Sequence, residues 1–438
     1  MTSRHGRQEH ARVSERLPYI VIALALGFVC PTAGAQADTK QKPLSVGITG
    51  SEPFDKRRSP TAILGSAKVQ QIILEIARTP KSRAEIEAVI SGEFFTLEDM
   101  VNVGLLRIEE GLYRIDFNLL TVADQKLILE VAEEKGRELA AAVLARRGEF
   151  EALAALHEQA HVGRPELLFI ALGCFSLDWD GLSLTEERGH RSAAQRTIDG
   201  HSFTPWAKEK GMTLSLKGLY WGSHNSDGTV IHTTFGDHDA LPRFGLPDLM
   251  WNSGATFGSY KHLPDGRRAA ALLMSTYRSD VLDDVASVMF ALSERDLSPE
   301  ALADRVGIGK DKLERILALL EEADYVTRQN GDYAGRVLVL GADDQIMVRK
   351  ILAAGREIMT AWHEAYYDGM KAALRDLTPL RNGVPFERVY TEVWHFVFGI
   401  ANRELVKAGM FADPYAPGRR HKGFVPCIRT SDLDVSSP

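Results

Sequence analysis

The sequence predicts an α+β protein of two similar units with a smaller region between them. Three observations predict it. Residues 281–340 read helix, helix, turn, helix, hairpin; the same order returns from Ser66; and between the two, short strand-like runs and turn signals replace helical periodicity. A chain of 438 residues is too long for one small core, and its composition is that of an ordinary globular protein.

Residues 1–37 look like a targeting segment. Arg4, Arg7, Arg12 and Arg16 precede an apolar run over 19–30, and Ala33-Gly34-Ala35 and Ala35-Gln36-Ala37 each offer small residues spaced as a signal cleavage requires. The run is short for a bilayer span. The expectation is a periplasmic or secreted protein, with a retained membrane anchor as the alternative. Val29 stands where a lipoprotein signal before Cys30 wants a small residue. Cys174 and Cys427 would remain after cleavage, in a compartment where they could pair.

Residues 38–65 are polar and read as a linker. In the first unit, 66–160, Val69, Ile72, Ile73 and Ile76 mark one helix face. Ser82 caps a second helix bearing Ile86, Val89 and Ile90, and Leu97, Met100 and Val101 mark a third. Strand-like runs over 105–108 and 112–117 flank Glu110-Gly111. In the second unit, 281–377, Leu282, Val285, Met289 and Leu292 give the first face. Ser298 before Pro299 starts the second helix, which ends at Gly307-Ile308-Gly309. Leu313, Ile316, Leu317 and Leu320 line the third, and Asn330-Gly331 is a hairpin turn. Gly111, Tyr113, Asp124 and Gln125 match Gly331, Tyr333, Asp344 and Gln345 at one constant offset. One residue out of register, Gly136-Arg137-Glu138 matches Gly355-Arg356-Glu357. This reads as an internal duplication. Each unit ends in a long helical arm, over about 122–161 and 342–377, and the copies could pair about a pseudo-twofold axis like a fused dimer.

The middle region, 161–262, reads as a small α+β domain. Its apolar run over 167–175 is taken as a strand, 204–210 as a helix, 213–221 as a strand, and Asn225 to Gly228 as a turn before 230–235. Residues 263–280 form a second linker. Residues 378–438 hold a helix over 386–409, apolar at Val389, Val393, Phe396, Val397 and Ile400, and a polar tail.

The order helix, helix, turn, helix, hairpin resembles the winged helix-turn-helix family, with the hairpins as wings. The resemblance implies two winged-helix domains with long helical arms flanking the small α+β domain. It leaves the ligand open, since that fold binds DNA, RNA and proteins alike. In DNA-binding members the third helix enters the major groove. Here that helix offers Lys310, Asp311, Lys312, Glu314 and Arg315 in the second unit, but Glu93, Thr96, Glu98 and Asp99 in the first, where carboxylates would repel phosphates. A net charge of -7 supplies no general positive field. Lys310, Lys312, Arg315 and the wing residue Arg328 are therefore candidate contacts to nucleic acid or to a protein partner, against the plain alternative of a solvated face.

Two clusters could carry metal chemistry. His157-Glu158-Gln159-Ala160-His161 has two histidines four apart, which on a helix share a face and could reach one zinc, with Glu158 as general base. It resembles the zincin metallopeptidases, which need a third ligand; Glu166, Asp180, Glu186 and Glu187 follow. The second cluster is His224, His232 and His238, with Asp237 and Asp239, around a predicted hairpin. The alternative for both is ordinary hydrogen bonding within the fold. Ser176 to Gly181 carries Asp178 and Asp180 at the end of the apolar run, and no phosphate loop, dinucleotide fingerprint or serine-nucleophile elbow is present. The reading that accounts for most of the sequence is an exported binding protein, an interaction scaffold or regulator whose partner is a protein. An exported zinc metallohydrolase and a cytoplasmic DNA-binding regulator are the alternatives.

Overall fold

A computed structural model describes residues 42–192, 194–211, 226–227, 230–232, 278–322, 324–416, 424 and 426–429. The targeting segment, His224 and His238 lie outside the described residues. The class is α+β.

Strand β1 (Leu44–Gly50) lies inside the expected linker. Gly47 and Gly50 interrupt its alternation, which hides it from a pattern reading; at Gly47 the missing side chain leaves room for the Trp206 ring. After the short α1 (Pro60–Leu64), three helices follow: α2 (Ala67–Arg78), α3 (Arg83–Ile90) and α4 (Leu97–Asn102). Ser82 with Glu85, and Thr96 with Asp99, close capping boxes that fix the starts of α3 and α4. Strands β2 (Leu106–Glu109) and β3 (Leu112–Ile115) pair antiparallel. Glu110 and Gly111 between them both have positive φ, 53° and 79°, as a two-residue hairpin turn requires. These elements, the first head, enclose their own apolar core. Strand β4 (Asn118–Leu120) then leads into the arm α5 (Val122–Ala145), capped by Thr121 and Asp124.

After α6 (Arg147–Ala154) comes α7 (Arg164–Glu187), π-helical over Phe169–Asp180. The expected strand at 167–175 is thus corrected to helix. Phe169 to Asp178 are all buried, so no polar stripe betrays a helical period. This helix is long and apolar enough to cross a membrane, yet 89% of its apolar window is buried within the protein. Strands β5 (Arg196–Ile198) and β6 (His201–Glu209) follow, correcting the helix expected at 204–210. There Thr204-Pro205 imitates a helix cap followed by proline. β6 runs antiparallel to β1 and parallel to β4, and β5 pairs with β6.

The element order then recurs. β7 (Ser226–Asp227) and β8 (Val230–His232) precede α8 (Arg278–Glu294), α9 (Pro299–Val306) and α10 (Lys310–Glu322). The hairpin of β9 (Val326–Gln329) and β10 (Asp332–Gly335) turns at Asn330 and Gly331, with φ of 52° and 98°. This second head has its own core. β11 (Val339–Leu340) leads to the second arm, α11 (Gln345–Ala373), then α12 (Thr378–Arg381), α13 (Phe386–Lys407) and β12 (Cys427–Arg429). β12 runs parallel to β11 and antiparallel to β8, as β6 does to β4 and β1. In each head the residue before the second helix's cap bridges to the hairpin, Lys81 to Tyr113 and Leu297 to Tyr333.

The central core joins the halves by exchange. Arm α5 packs on α13 of the other half, where Gly136 admits Ile400; arm α11 packs on α7, where Gly355 admits Ser176. Trp394 Nε1 donates to the Leu177 carbonyl at 3.1 Å and Asn402 Nδ2 to the Gly173 carbonyl at 3.1 Å, tying α13 to α7. Cys174 lies in this core and Cys427 in that of the second head, and no disulfide joins them.

Candidate functional site

The zinc reading of residues 157–161 needs a helix through both histidines. α6 ends at Ala154, and His161 has φ 66°. The helical expectation is corrected: the helix stops ahead of Gly163 and Pro165, which disfavour its continuation, and the segment docks on the second half through His157 and Gln159. His157 Nδ1 donates to Asp344 Oδ1 at 2.6 Å, whereas His161 Nε2 lies 3.4 Å from Asp296 Oδ1. Gln159 between them donates to the Val337 carbonyl at 2.9 Å and accepts from the Val339 N–H at 2.9 Å. The two histidines and Gln159 between them thus engage separate protein partners. Among the described residues, no group of three or more His, Cys, Asp or Glu side chains is placed to hold a metal ion. Of the second cluster only the backbone of His232 is described; it stands in β8 opposite Cys427. Asp178 and Asp180, at the end of the apolar run taken as a strand, are buried on α7, and Arg356 Nη1 donates to Asp180 Oδ1 at 2.7 Å.

The second head presents α10. Its exposed charged residues among those described are Lys310, Asp311, Lys312, Glu314, Arg315 and Glu321, so cations and carboxylates alternate. Lys312 is drawn onto Asp284 of α8. Around the hairpin, Arg336 pairs with Asp324 at 2.9 Å, and the Arg328 guanidinium lies 5.5 Å over the Tyr333 ring. Lys310 and Arg315 share the helix, but the four predicted cations do not form an uninterrupted basic surface.

The first head differs. Its α4 spans Leu97–Asn102, and the Arg83 guanidinium, hydrogen-bonded to Glu98, holds that carboxyl below its ordinary range. On the hairpin, Glu109 neutralises both Arg107, at 3.0 Å, and Arg114, at 2.8 Å. The tip is apolar: Ile108 is 56% and Leu112 39% exposed. Their cross-strand partners are Tyr113 and Glu109, so the two lie on opposite faces of the hairpin. Phe94, before α4, is exposed as well. Sequence reasoning missed these three, reading Ile108 and Leu112 as strand formers. The available signal was that each lies within two residues of the turn, at the end of the hairpin far from the head's core.

Compared with family models, curated proteins and solved structures, the chain matches none.

Proposed function

We propose that both heads are winged helices, that the halves descend from one duplicated unit and pair about a pseudo-twofold axis, and that the protein acts by binding other proteins, as an exported scaffold or regulator and not as a catalyst. The observation that carries this reading is the first head's hairpin, apolar at Ile108 and Leu112 with its arginines neutralised. Exposed apolar side chains favour a protein surface, and a phosphate backbone needs unpaired cations. The mixed charge along α10 supports the same reading for the second head. The arginine-rich, then apolar N-terminus supports export.

Photo-crosslinking in the host tests it, with a benzophenone side chain at Ile108 and, separately, at Arg315. The expected adducts resist nuclease and disappear with protease. Nuclease-sensitive adducts from both positions would replace this reading with the DNA-binding one.

A further inference from the structure

A cleft of about 460 Å³ opens where the first head meets the exchanged arms. Three cations line it from three separate segments: Arg78 at the end of α2, Lys126 in the second turn of α5, and Arg381 of α12. Each is exposed, and none forms an ion pair with a described carboxylate. Arg381 donates only to the Asp376 carbonyl at 2.9 Å and the Thr378 hydroxyl at 3.2 Å. The single carboxylate in the lining, Glu209, is engaged by the Val122 N–H at 3.0 Å. Leu74 and Val122 add apolar wall.

We propose that this cleft binds a small ligand carrying two or more closely spaced oxyanion charges. Two guanidiniums can each grip an oxyanion in bidentate fashion, and the lysine adds a point charge. The net positive charge of the lining is uncompensated in a chain that is acidic overall. The corresponding place in the second half does not reproduce it. The bridges at Lys81 and Leu297 set Glu294 where Arg78 stands, the hairpin and arm register sets Ile346 where Lys126 stands, and the β11–β12 register sets Arg429 where Glu209 stands. Among the described residues, each chain therefore offers one such site. A ligand there would touch α2, α5 and α12 together and hold the first head against the exchanged arms. The site is independent of what the heads bind.

Isothermal titration of the full chain with pyrophosphate, and separately with citrate, tests the proposal. Saturable binding at one site per chain is expected from at least one of them, which also tells a phosphate from a carboxylate ligand. Lys126→Gln and Arg381→Gln, both exposed, should each weaken it about tenfold with an unchanged unfolding midpoint, while Lys310→Gln leaves it alone. No saturable binding with either anion, two sites per chain, or full affinity in a Lys126→Gln, Arg381→Gln double variant would overturn it.

Discussion

His157 Nδ1 donates to Asp344 Oδ1 at 2.6 Å, joining the segment after α6 to the start of the second arm. The reciprocal bond runs from the Thr378 N–H, after the second arm, to Asp124 Oδ1, at the start of the first, at 2.8 Å. Asp124 also accepts from the Thr121 N–H at 2.7 Å, and Asp344 from the Gly341 N–H at 2.9 Å. Asp124 thus caps its own arm, Asp344 closes the 3-10 turn Ala342–Asp344 that leads into its arm, and each receives a donor from the other half. Asp344→Ala loses both functions and should cost about 2 kcal/mol in urea unfolding. A double-mutant cycle between His157 and Asp344 should return a coupling of about 1 kcal/mol. Additive single effects would mean that the contact ties nothing together.

The same bond changes what metal analysis of this chain should find. With His157 held by Asp344 and His161 beside Asp296, the two imidazoles do not converge. Zinc content by mass spectrometry should be the same in the parent and in a His157→Ala, His161→Ala double variant. Stoichiometric zinc in the parent, lost in the variant, would restore the hydrolase reading.

Much of the heads was legible because their signals are local. Ser82 and Ser298 start helices, and Glu110-Gly111 and Asn330-Gly331 turn hairpins with no help from distant residues. What failed depends on tertiary surroundings. The run from Phe169 loses its helical period because protein covers every face, and β6 is a strand because β1 and β4 flank it, whatever Thr204-Pro205 suggests locally. The histidine motif misled for a related reason. Spacing alone cannot tell that the helix stops at Ala154 to let Gln159 pair with β11. The apolar hairpin tip was unreadable because exposure, not identity, makes Ile108 and Leu112 a surface.

Gly136 and Gly355, matched between the units by sequence, mark the two places where an arm crosses a helix of the other half. A Cβ at Gly136 would stand 2.7 Å from both Ile400 Cβ and the Val397 carbonyl oxygen. Because backbone cannot yield as a flexible side chain can, Gly136→Ala should destabilise by about 1–3 kcal/mol despite alanine's better helix propensity. Gly369, on the exposed side of α11, has nothing within 4 Å of its would-be Cβ. There the same change should stabilise by about 0.5–1 kcal/mol. Thermal unfolding of both variants checks the opposite signs, and a stabilised Gly136→Ala would rule out the tight crossing.

The central core also sets a dependence on pH. His363, on α11, is 1% exposed, and its ring centroid lies 4.7 Å from that of Trp394. Nδ1 donates to the Met359 carbonyl at 2.7 Å, but buried Nε2 has no partner among the described residues. Burial pushes the imidazole down from its ordinary 6.5 to about 4. Burial also lowers His190 and His395, so all three act with one sign. Between the two His363 values the unfolded chain takes up a proton that the folded chain refuses. Stability should be full above pH 6.5 and fall progressively as pH drops toward 4, by at most about 3 kcal/mol for this group. His363→Phe keeps an aromatic ring in the core and removes the titration. Urea midpoints across that window should therefore fall less steeply in the variant than in the parent, and equal slopes would show that His363 is not the group responsible.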